Sequence, residues 1–366
     1  MPVFATLRRH KGLVAACLIL VSAPAAGAQN SAIADLLETP ARHSTRALNG
    51  VLLAIARADR RLVAVGERGV VLLSDDDGRS WRQAKEVPVS VALTGVTFVD
   101  ARRGWAIGHS GTVLHTTDGG ESWTRQLDGR AIGALAVNEA RAVVGEQAAR
   151  ALRDAERLSG EGPDKPLLGI HFADALHGWV VGAYGLALVT SDGGTRWSTV
   201  IGRIPDLGGR HLYSIVPIPG GLLIAGEQGR LFRSVDGGAS FTALKTPYAG
   251  TFFGALPMKG DRIVAYGLRG NAWSGSAEGD WGRIALGQAA TLTGAVTLAD
   301  GGLLLADEGG RLFRGADDGR SFAALRYPPQ AGLSALVQAA DGALVVTGLR
   351  GARRMDLSPS ALDDPK

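Results

Sequence analysis

The sequence predicts an all-β fold, a β-propeller of four-stranded antiparallel blades. Three observations predict it. A turn with two glycines separated by two other residues recurs along the chain, and a short apolar strand follows it each time. A tight loop that contains an aspartate and ends in an aromatic residue comes next. The whole unit repeats about every 40 residues, which is the length of a propeller blade.

The clearest copy of the unit is residues 108–123, GHSGTVLHTTDGGESW. Its glycines, Gly108 and Gly111, suit a hairpin turn that needs positive φ or a close backbone approach. Residues 112–114 are β-branched or large and predict a strand buried on both faces. Similar turns end at Gly69, Gly185, Gly229, Gly270, Gly310 and Gly351.

The loop that closes each unit has the pattern S/T-x-D-x-G-x-x-W, known as the Asp-box. Its aspartate can accept hydrogen bonds from backbone N–H groups ahead of it, and the aromatic residue can fold back over the loop. We interpret these loops as structural staples rather than catalytic sites. A copy at residues 274–281 has lost its aspartate. The box residues are Asp76, Trp81, Asp118, Trp123, Asp192, Trp197, Asp236, Phe241, Asp317 and Phe322.

The turn spacing predicts eight blades, with seven as the alternative. Gly111 and Gly185 are 74 residues apart, about two repeats, and residues 142–147 look like a worn turn between them. The segment that follows, residues 148–158, reads either as a strand with altered register or as a short helix.

The N-terminal residues 31–39 are predicted to complete the last blade and close the ring. They resemble the outer strands that run into Pro247 and Pro328, and the C-terminal unit has no outer strand of its own. Residues 29–357 then form one propeller domain, and residues 358–366 a flexible tail.

Residues 1–28 have the features of a secretory signal peptide. A basic start is followed by an apolar run and an A-x-A site, which predicts cleavage after Ala28 and a periplasmic protein. The apolar run is too short to span a membrane. Lipidation at Cys17 is disfavoured, because too few apolar residues separate Lys11 from Cys17.

Charge and cysteine content exclude several partners. The 366-residue chain has a net charge of +4, from 39 basic and 35 acidic residues. Without residues 1–28, which hold three basic residues and no acidic ones, 36 basic and 35 acidic residues leave +1. This is not the footprint of a nucleic-acid-binding protein. Cys17 is the one cysteine and leaves with the signal, so no disulfide-linked partner is expected.

The sequence indicates no catalytic, metal or cofactor site. Asp-boxes also occur in sialidases, and an Arg-Ile-Pro motif stands at residues 203–205, but it follows the fourth unit instead of preceding the first box. No tyrosine can be paired with a glutamate from sequence, although such a pair is the sialidase nucleophile. The pairs His109 and His115, and His171 and His177, lack a third ligand at metal-site spacing.

The variable residues of the glycine turns are the best candidates for partner binding. In a propeller these turns lie at the end where the chain enters each blade, here called the turn face, and the Asp-boxes lie at the other end, the box face. Loops on a rigid scaffold often carry function. The predicted partner-binding residues are Glu67, Arg68, His109, Tyr184, Glu227, Arg269, Glu308 and Arg350, with Glu146 and Gln147 at the worn turn.

The second and fourth units share the signature F-x-D, x-G-W-x-x-G and D-G-G-x-x-W, at residues 98–123 and 172–197. It resembles the photosystem II stability/assembly factor family. The resemblance implies an exported, non-enzymatic propeller that helps to assemble a membrane protein; in phototrophs this is a newly made reaction-centre subunit with its pigments. Relatives in non-photosynthetic bacteria look like envelope proteins associated with transporters. We therefore expect a monomeric scaffold for a membrane or envelope protein, with a glycan-binding or sialidase-like propeller as the alternative.

Overall fold

The computed structural model describes residues 35–258, 260–315, 319–329 and 332–356. These residues form seven antiparallel sheets, six with four strands and one with three. The first strands of successive sheets contact one another, and the first strand of the seventh sheet contacts that of the first. The sheets are therefore the blades of a closed propeller, and their first strands line its central channel.

The first four blades are regular meanders. Blade 1 contains β1 (Leu52–Ala58), β2 (Arg61–Gly66), β3 (Val71–Ser74) and β4 (Arg82–Gln83). Blade 2 contains β5 (Leu93–Phe98), β6 (Gly104–Gly108), β7 (Val113–Thr116) and β8 (Thr124–Leu127). Blade 3 contains β9 (Leu167–Phe172), β10 (Gly178–Gly182), β11 (Ala187–Thr190) and β12 (Ser198–Thr199). Blade 4 contains β13 (Leu212–Ile218), β14 (Gly221–Gly226), β15 (Leu231–Ser234) and β16 (Thr242–Leu244).

The last three blades follow the same order. Blade 5 contains β17 (Phe252–Pro257), β18 (Arg262–Gly267), β19 (Ala272–Ser276) and β20 (Gly279–Ile284). Blade 6 contains β21 (Leu292–Thr297), β22 (Leu303–Asp307), β23 (Leu312–Gly315) and β24 (Phe322–Ala324). Blade 7 contains β25 (Leu333–Gln338), β26 (Leu344–Gly348) and β27 (Gly351–Met355). The second strand of every blade is almost wholly buried, as strands covered on both faces must be.

The prediction of eight blades is wrong, and the alternative count of seven is confirmed. The long gap between blades 2 and 3 holds a helical hairpin, α1 (Gly129–Arg141) and α2 (Ala148–Gly160). Asp128 caps α1 by accepting the N–H groups of Arg130 and Ala131. Buried residues four apart in α1, Ile132, Ala136 and Ala140, give the helix its inner face, and Ala155 of α2 packs against it.

The helical hairpin also settles the two readings left open for this segment. Residues 148–158 are helical, and residues 142–147 join the two helices instead of forming a glycine turn. Glu146 and Gln147 are exposed in that connection and do not belong to the turn face. The described part of the chain contains no helix long and apolar enough to cross a membrane.

The predicted N-terminal closing strand is also wrong for the residues described. Residues 31–34 lie outside them, and residues 36–39 form a turn rather than a strand. Leu37 is buried, and the Leu36 carbonyl accepts the N–H of Ser90 in the connection between blades 1 and 2. Glu38 and Asp35 form ion pairs with Arg125 and Arg130. Opposite charges thus hold this segment on blade 2, and β27 has no fourth strand beside it in the described chain.

Side-chain contacts join the last blade to the first, in place of the strand that was predicted to close the ring. Leu62 of blade 1 packs with Ala339 and Val345 of blade 7 in one buried cluster. At the box face, Arg354 of β27 donates to the Asp77 carbonyl over 2.8 Å, and Asp77 accepts the N–H of Ala340 over 3.1 Å. The ring is closed by apolar packing and by the first Asp-box loop.

The Asp-boxes have nearly the same geometry in blades 1 to 4. In blade 1 the Asp76 carboxylate accepts the Ser74 hydroxyl and the Ser80 N–H, both over 2.8 Å. The N–H of Gly78 donates to the Ser74 hydroxyl, and the Trp81 ring N–H donates to the Gly78 carbonyl. The bonds of the aspartate and the hydroxyl recur in all four boxes, whereas the bond from the aromatic ring N–H is made by Trp81 and Trp123 only. Such internal satisfaction of loop polar groups is what a structural staple requires. Asp317, the residues of the signal peptide and the tail at 358–366 lie outside the described residues.

In the box of blade 6, Gly315 stands where the boxes of blades 1 to 4 have serine or threonine. A Cβ atom on Gly315 would lie 2.5 Å from the Phe322 ring. The aromatic residue thus fills the space that a serine or threonine side chain uses in the other blades.

Candidate partner-binding site

The glycine turns and the segments leading into the blades share one end of the ring. In blade 1 the N–H of Glu67 donates to the Val51 carbonyl just before β1, over 3.1 Å. The N–H of Gly69 donates over 2.7 Å to the carbonyl of Val91, which leads into blade 2. Gly69 has φ +70°, and a Cβ there would lie 2.1 Å from the Val89 carbonyl oxygen. The turn of blade 1 is therefore held rigidly between two blades, and only glycine fits its last position.

The residue before that last glycine adopts a left-handed conformation in five blades. A left-handed backbone costs a residue with a side chain about 1–2 kcal/mol, so the fold imposes it at this position. The consequence is a fixed direction for each of these side chains. They are Arg68, Ser110, Tyr184, Gln228 and Arg269, with φ between 55° and 57°.

The predicted partner-binding residues lie on this turn face. Seven of the eight are exposed, and the eighth, Glu227, is half-buried. Glu227 accepts the backbone N–H of His211 over 2.8 Å and contacts its ring Nδ1 at 3.3 Å. Glu308 accepts the N–H of Thr291 over 2.9 Å in the same way. These two carboxylates hold the chain where it enters blades 4 and 6, which is a structural role.

Three arginines of the turn face differ from Glu227 and Glu308, whose carboxylates are engaged. Arg68, Arg269 and Arg350 are exposed, and none forms an ion pair with another residue in the described ranges. Beside Arg350, a shallow depression of about 170 Å³ is lined by Pro329, Leu333 and Leu349, among others. An exposed guanidinium without a protein partner can donate two parallel hydrogen bonds to a carboxylate or phosphate. These three residues give the face its capacity to bind an anion.

The mouth of the channel carries a second set of residues that sequence analysis missed. In every blade the innermost strand has one extra residue relative to its neighbour, a β-bulge near its turn-face end. All seven bulge residues are partly exposed, and we call them the mouth ring. They are Leu53, Thr94, Leu168, Tyr213, Phe253, Thr293 and Ser334.

A sequence signal for the mouth ring was present. Each bulge residue stands between a large buried residue and a small one, as in Leu93-Thr94-Gly95 and Phe252-Phe253-Gly254. The small residue lets neighbouring innermost strands approach: a Cβ on Gly169 would lie 2.8 Å from the Cα of Ser214 in the next blade. The middle position is free to vary, and its identity differs from blade to blade.

The site offers no support for sialidase chemistry. Tyr213 is the tyrosine that a glutamate influences, and burial together with the Glu227 charge raises its pKa. A tyrosine nucleophile needs the opposite shift, because the phenolate is the reactive form. The Arg203 carbonyl accepts the N–H of Phe241 in the box loop of blade 4, and Ile204 is buried. The Arg-Ile-Pro motif therefore contributes to packing between blades.

The histidines noted in the sequence lie in four separate environments. His115 and His171 stack on the rings of Trp105 and Trp179, and burial lowers the pKa of both. His177 contacts the Asp174 carboxylate, and His109 is exposed in its turn. Within the described ranges no three ligand-type side chains cluster as a metal site requires.

Comparison with known proteins agrees with this architecture. A family model described as "Photosynthesis system II assembly factor YCF48" matches residues 161–267. A solved structure described as "YCF48 bound to D1 peptide" is 16% identical, with 86% of this chain and 97% of that chain covered and a TM-score of 0.60. YCF48 from Cyanidioschyzon merolae is also 16% identical, with 83% and 95% covered and a TM-score of 0.60. No curated protein matches the sequence.

The fold itself also carries enzymes. A streptogramin B lyase structure is 12% identical, with 84% of this chain and 95% of that chain covered and a TM-score of 0.63. At such identities structural likeness shows the fold alone, so the activity of a neighbour does not transfer. The family model over residues 161–267 and the shared fold confirm the resemblance predicted from the sequence: this chain is similar to the photosystem II assembly factor-like β-propellers.

Proposed function

We propose that the protein is an exported, non-enzymatic scaffold whose turn face binds an acidic segment of a membrane or envelope protein and assists its assembly or activity. The signal-peptide features of residues 1–28 support export to the periplasm. The scaffold acts as a monomer, and the chain needs no cofactor for this role.

One observation carries the proposal. Arg68, Arg269 and Arg350 are exposed on the turn face without an ion pair in the described chain, and two of them are held in a strained backbone conformation. A fold that fixes cations without satisfying them is prepared for an external anion. The YCF48 structure described as bound to a D1 peptide supports a peptide as the carrier of that anion.

The site suits a protein segment better than a glycan. Carboxylates on an extended segment can reach arginines on separate blades, because the segment spans the ring. The sialidase-like alternative is not supported, since the pKa of Tyr213 is raised and its neighbour Glu227 is engaged by His211.

Cross-linking capture from intact cells tests the proposal. The test variant replaces Arg68, Arg269 and Arg350 with alanine. The control replaces Arg60, Arg141 and Arg153, three exposed arginines away from the turn face, so both variants lose the same charge. Each charge-assisted contact contributes about 1.5–3 kcal/mol to binding, so we expect the test variant to capture at least about tenfold less partner than the wild type.

The control variant should capture the partner as the wild type does, and capture by the wild type should weaken as salt rises. Equal capture by the two triple variants would contradict the proposed site. Failure of every protein to capture a membrane or envelope partner would contradict the assembly role, and screening of glycan substrates would follow.

A further inference from the structure

Four ring side chains follow one another from the turn face into the channel mouth, and we call them the aromatic stripe. Tyr184 contacts His211 with ring centroids 4.9 Å apart. His211 lies 6.2 Å from Tyr213, and Tyr213 lies 4.9 Å from Phe253. The last pair is perpendicular, the edge-to-face geometry that aromatic rings favour. The stripe crosses blades 3, 4 and 5.

The stripe is asymmetric around the ring. Tyr213 and Phe253 occupy the mouth-ring positions of blades 4 and 5, where the other five blades have leucine, threonine or serine. The fold therefore does not require an aromatic residue at this position. Two large rings on adjacent blades, next to a third on the turn of blade 3, mark one side of the mouth as different.

Core packing does not account for the stripe. Tyr184 is 58% exposed, and His211, Tyr213 and Phe253 are partly exposed. None of the four belongs to the buried apolar clusters found among the described residues. A run of partly exposed aromatic rings at the mouth of a channel is a feature of binding sites, because such rings bury a large area at little cost in side-chain entropy.

The charges near the stripe indicate the chemistry of its ligand. The Lys165 ammonium lies 5.8 Å from the centre of the Tyr184 ring, but it is paired with Glu161 and Asp164. Arg210 donates to the Gln228 side chain over 2.6 Å, and Glu227 is bound to His211. Arg269 on blade 5, the blade of Phe253, keeps its charge unpaired within the described chain. The available charge beside the stripe is positive.

We propose that the aromatic stripe binds one aromatic or large aliphatic side chain of an extended peptide segment whose flanking residues are acidic. The apolar side chain lies against Tyr213 and Phe253 at the channel mouth, and an acidic neighbour reaches Arg269. This inference rests on the proposed function, because it names the part of the partner that the turn face recognises. It adds a specificity that the arginines alone cannot supply.

Two fluorescent synthetic peptides of equal length and charge test it. Both are acidic, and they differ at one central position, phenylalanine in one and serine in the other. The test variant combines Tyr213→Ser and Phe253→Thr, residue types that the same position holds in blades 7 and 6, so it should fold as the wild type does. The control combines Thr293→Ala and Ser334→Ala at two other mouth-ring positions. Melting temperature checks folding, and fluorescence anisotropy measures binding.

We expect the wild type and the control to bind the phenylalanine peptide about tenfold or more tightly than the serine peptide, the scale of a binding hot spot. The test variant should bind both peptides equally weakly. Equal binding of the two peptides to the wild type would overturn the proposal, and so would a preference that persists in the test variant. Absence of binding to either peptide would overturn it as well.

The Arg68, Arg269 and Arg350 variant separates this inference from the proposed function. If the wild type binds both peptides equally and the arginine variant binds neither, the arginine site stands and the stripe fails. If the arginine variant binds both peptides as tightly as the wild type and keeps the preference for phenylalanine, the stripe stands and the arginine site fails. If N-acetylphenylalanine amide binds as tightly as the peptide, the ligand of the stripe is a small aromatic molecule and the peptide proposal is overturned. If the wild type is a dimer that dissociates in the test variant, the occupant of the stripe is a second copy of the chain.

Discussion

The two ends of the ring are built from the same repeat but differ in how many of their arginines form ion pairs. On the box face, eight arginines form ion pairs with nearby carboxylates: Arg61, Arg79, Arg82, Arg103, Arg196, Arg262, Arg314 and Arg354. On the turn face, Arg311 pairs with Asp307, whereas Arg68, Arg269 and Arg350 have no such partner in the described residues. The repeated residues therefore stabilise the fold, and the residues that vary on the constant backbone are the ones left available to a partner.

The same contrast holds for aromatic residues. Trp123 closes its box with the ring buried and the ring N–H donated to the Gly120 carbonyl over 2.9 Å. Tyr184 occupies the turn of the next blade with 58% of its surface exposed and its backbone in the left-handed region. The first is enclosed by the fold, whereas the second contacts His211 at its side and leaves most of its ring to solvent.

The prediction with the largest expected effect compares the contributions of Trp123 and Tyr184 to stability. Trp123→Ala should lower the free energy of unfolding by about 3–5 kcal/mol, because it removes a buried indole and leaves a cavity. Tyr184→Ala should change it by less than about 1 kcal/mol, since most of its ring is exposed. Urea unfolding followed by circular dichroism measures both. Equal losses would show that the turn face is as much a part of the stable core as the box.

The next effect compares two arginines of the same hairpin in blade 7. Arg354 donates to the Asp77 carbonyl and pairs with Asp341 and Asp356, each over 2.8 Å, and its side chain is 16% exposed. Arg354→Ala should lower the free energy of unfolding by about 1.5–3 kcal/mol, because it removes charged hydrogen bonds that join the last blade to the first. Arg350→Ala, in the turn at the other end, should change the free energy of unfolding by less than about 0.5 kcal/mol. Thermal and urea unfolding measure the stability of the two variants. A larger loss of stability in Arg350→Ala than in Arg354→Ala would contradict the prediction.

The prediction with the smallest expected effect concerns the pH dependence of the stability that the box carboxylates contribute. Hydrogen bonds from the hydroxyl and N–H of Ser80 lower the pKa of Asp76 to about 2, and those from Ser240 do the same for Asp236. The folded pKa lies below the ordinary value of 3.8, so this stabilisation is complete above about pH 4 and is lost as the pH falls towards 2. The variant with Asp76→Asn and Asp236→Asn should therefore be less stable than the wild type at pH 7.

Melting temperatures of the two proteins should converge between pH 4 and pH 2 as the wild-type carboxylates become protonated. Parallel curves over that interval would mean that the two aspartates contribute nothing that depends on their charge.

The propeller fold could be predicted because it depends on local contacts. A glycine turn, a buried strand and an Asp-box each need only a few neighbouring residues, so their signals survive in every blade. Residues 142–158 misled the count because a gap of nearly two periods suits either two blades or one blade with an insertion. The helical signal was there, in the Asp128 cap and the apolar spacing of Ile132, Ala136 and Ala140.

The candidate site divides in the same way. The turn residues were found from sequence, because each turn has a recognisable pair of glycines. The aromatic stripe was missed, because Tyr184, His211, Tyr213 and Phe253 come together only when three blades are placed side by side. Nothing in the local sequence shows that Glu227 is engaged by His211 while Arg269 is left unpaired.

The repeat, the blade architecture and the two ends of each blade could be read from the amino-acid sequence, since they follow from short-range hydrogen bonding and apolar alternation. Only the tertiary structure decided how many blades close the ring, how the ring closes and which turn-face charges remain available. Those properties depend on contacts between residues far apart in the chain, such as Arg354 with Asp77 and Glu38 with Arg125. Partner choice between distant charges is a matter of three-dimensional distance, which sequence spacing does not encode.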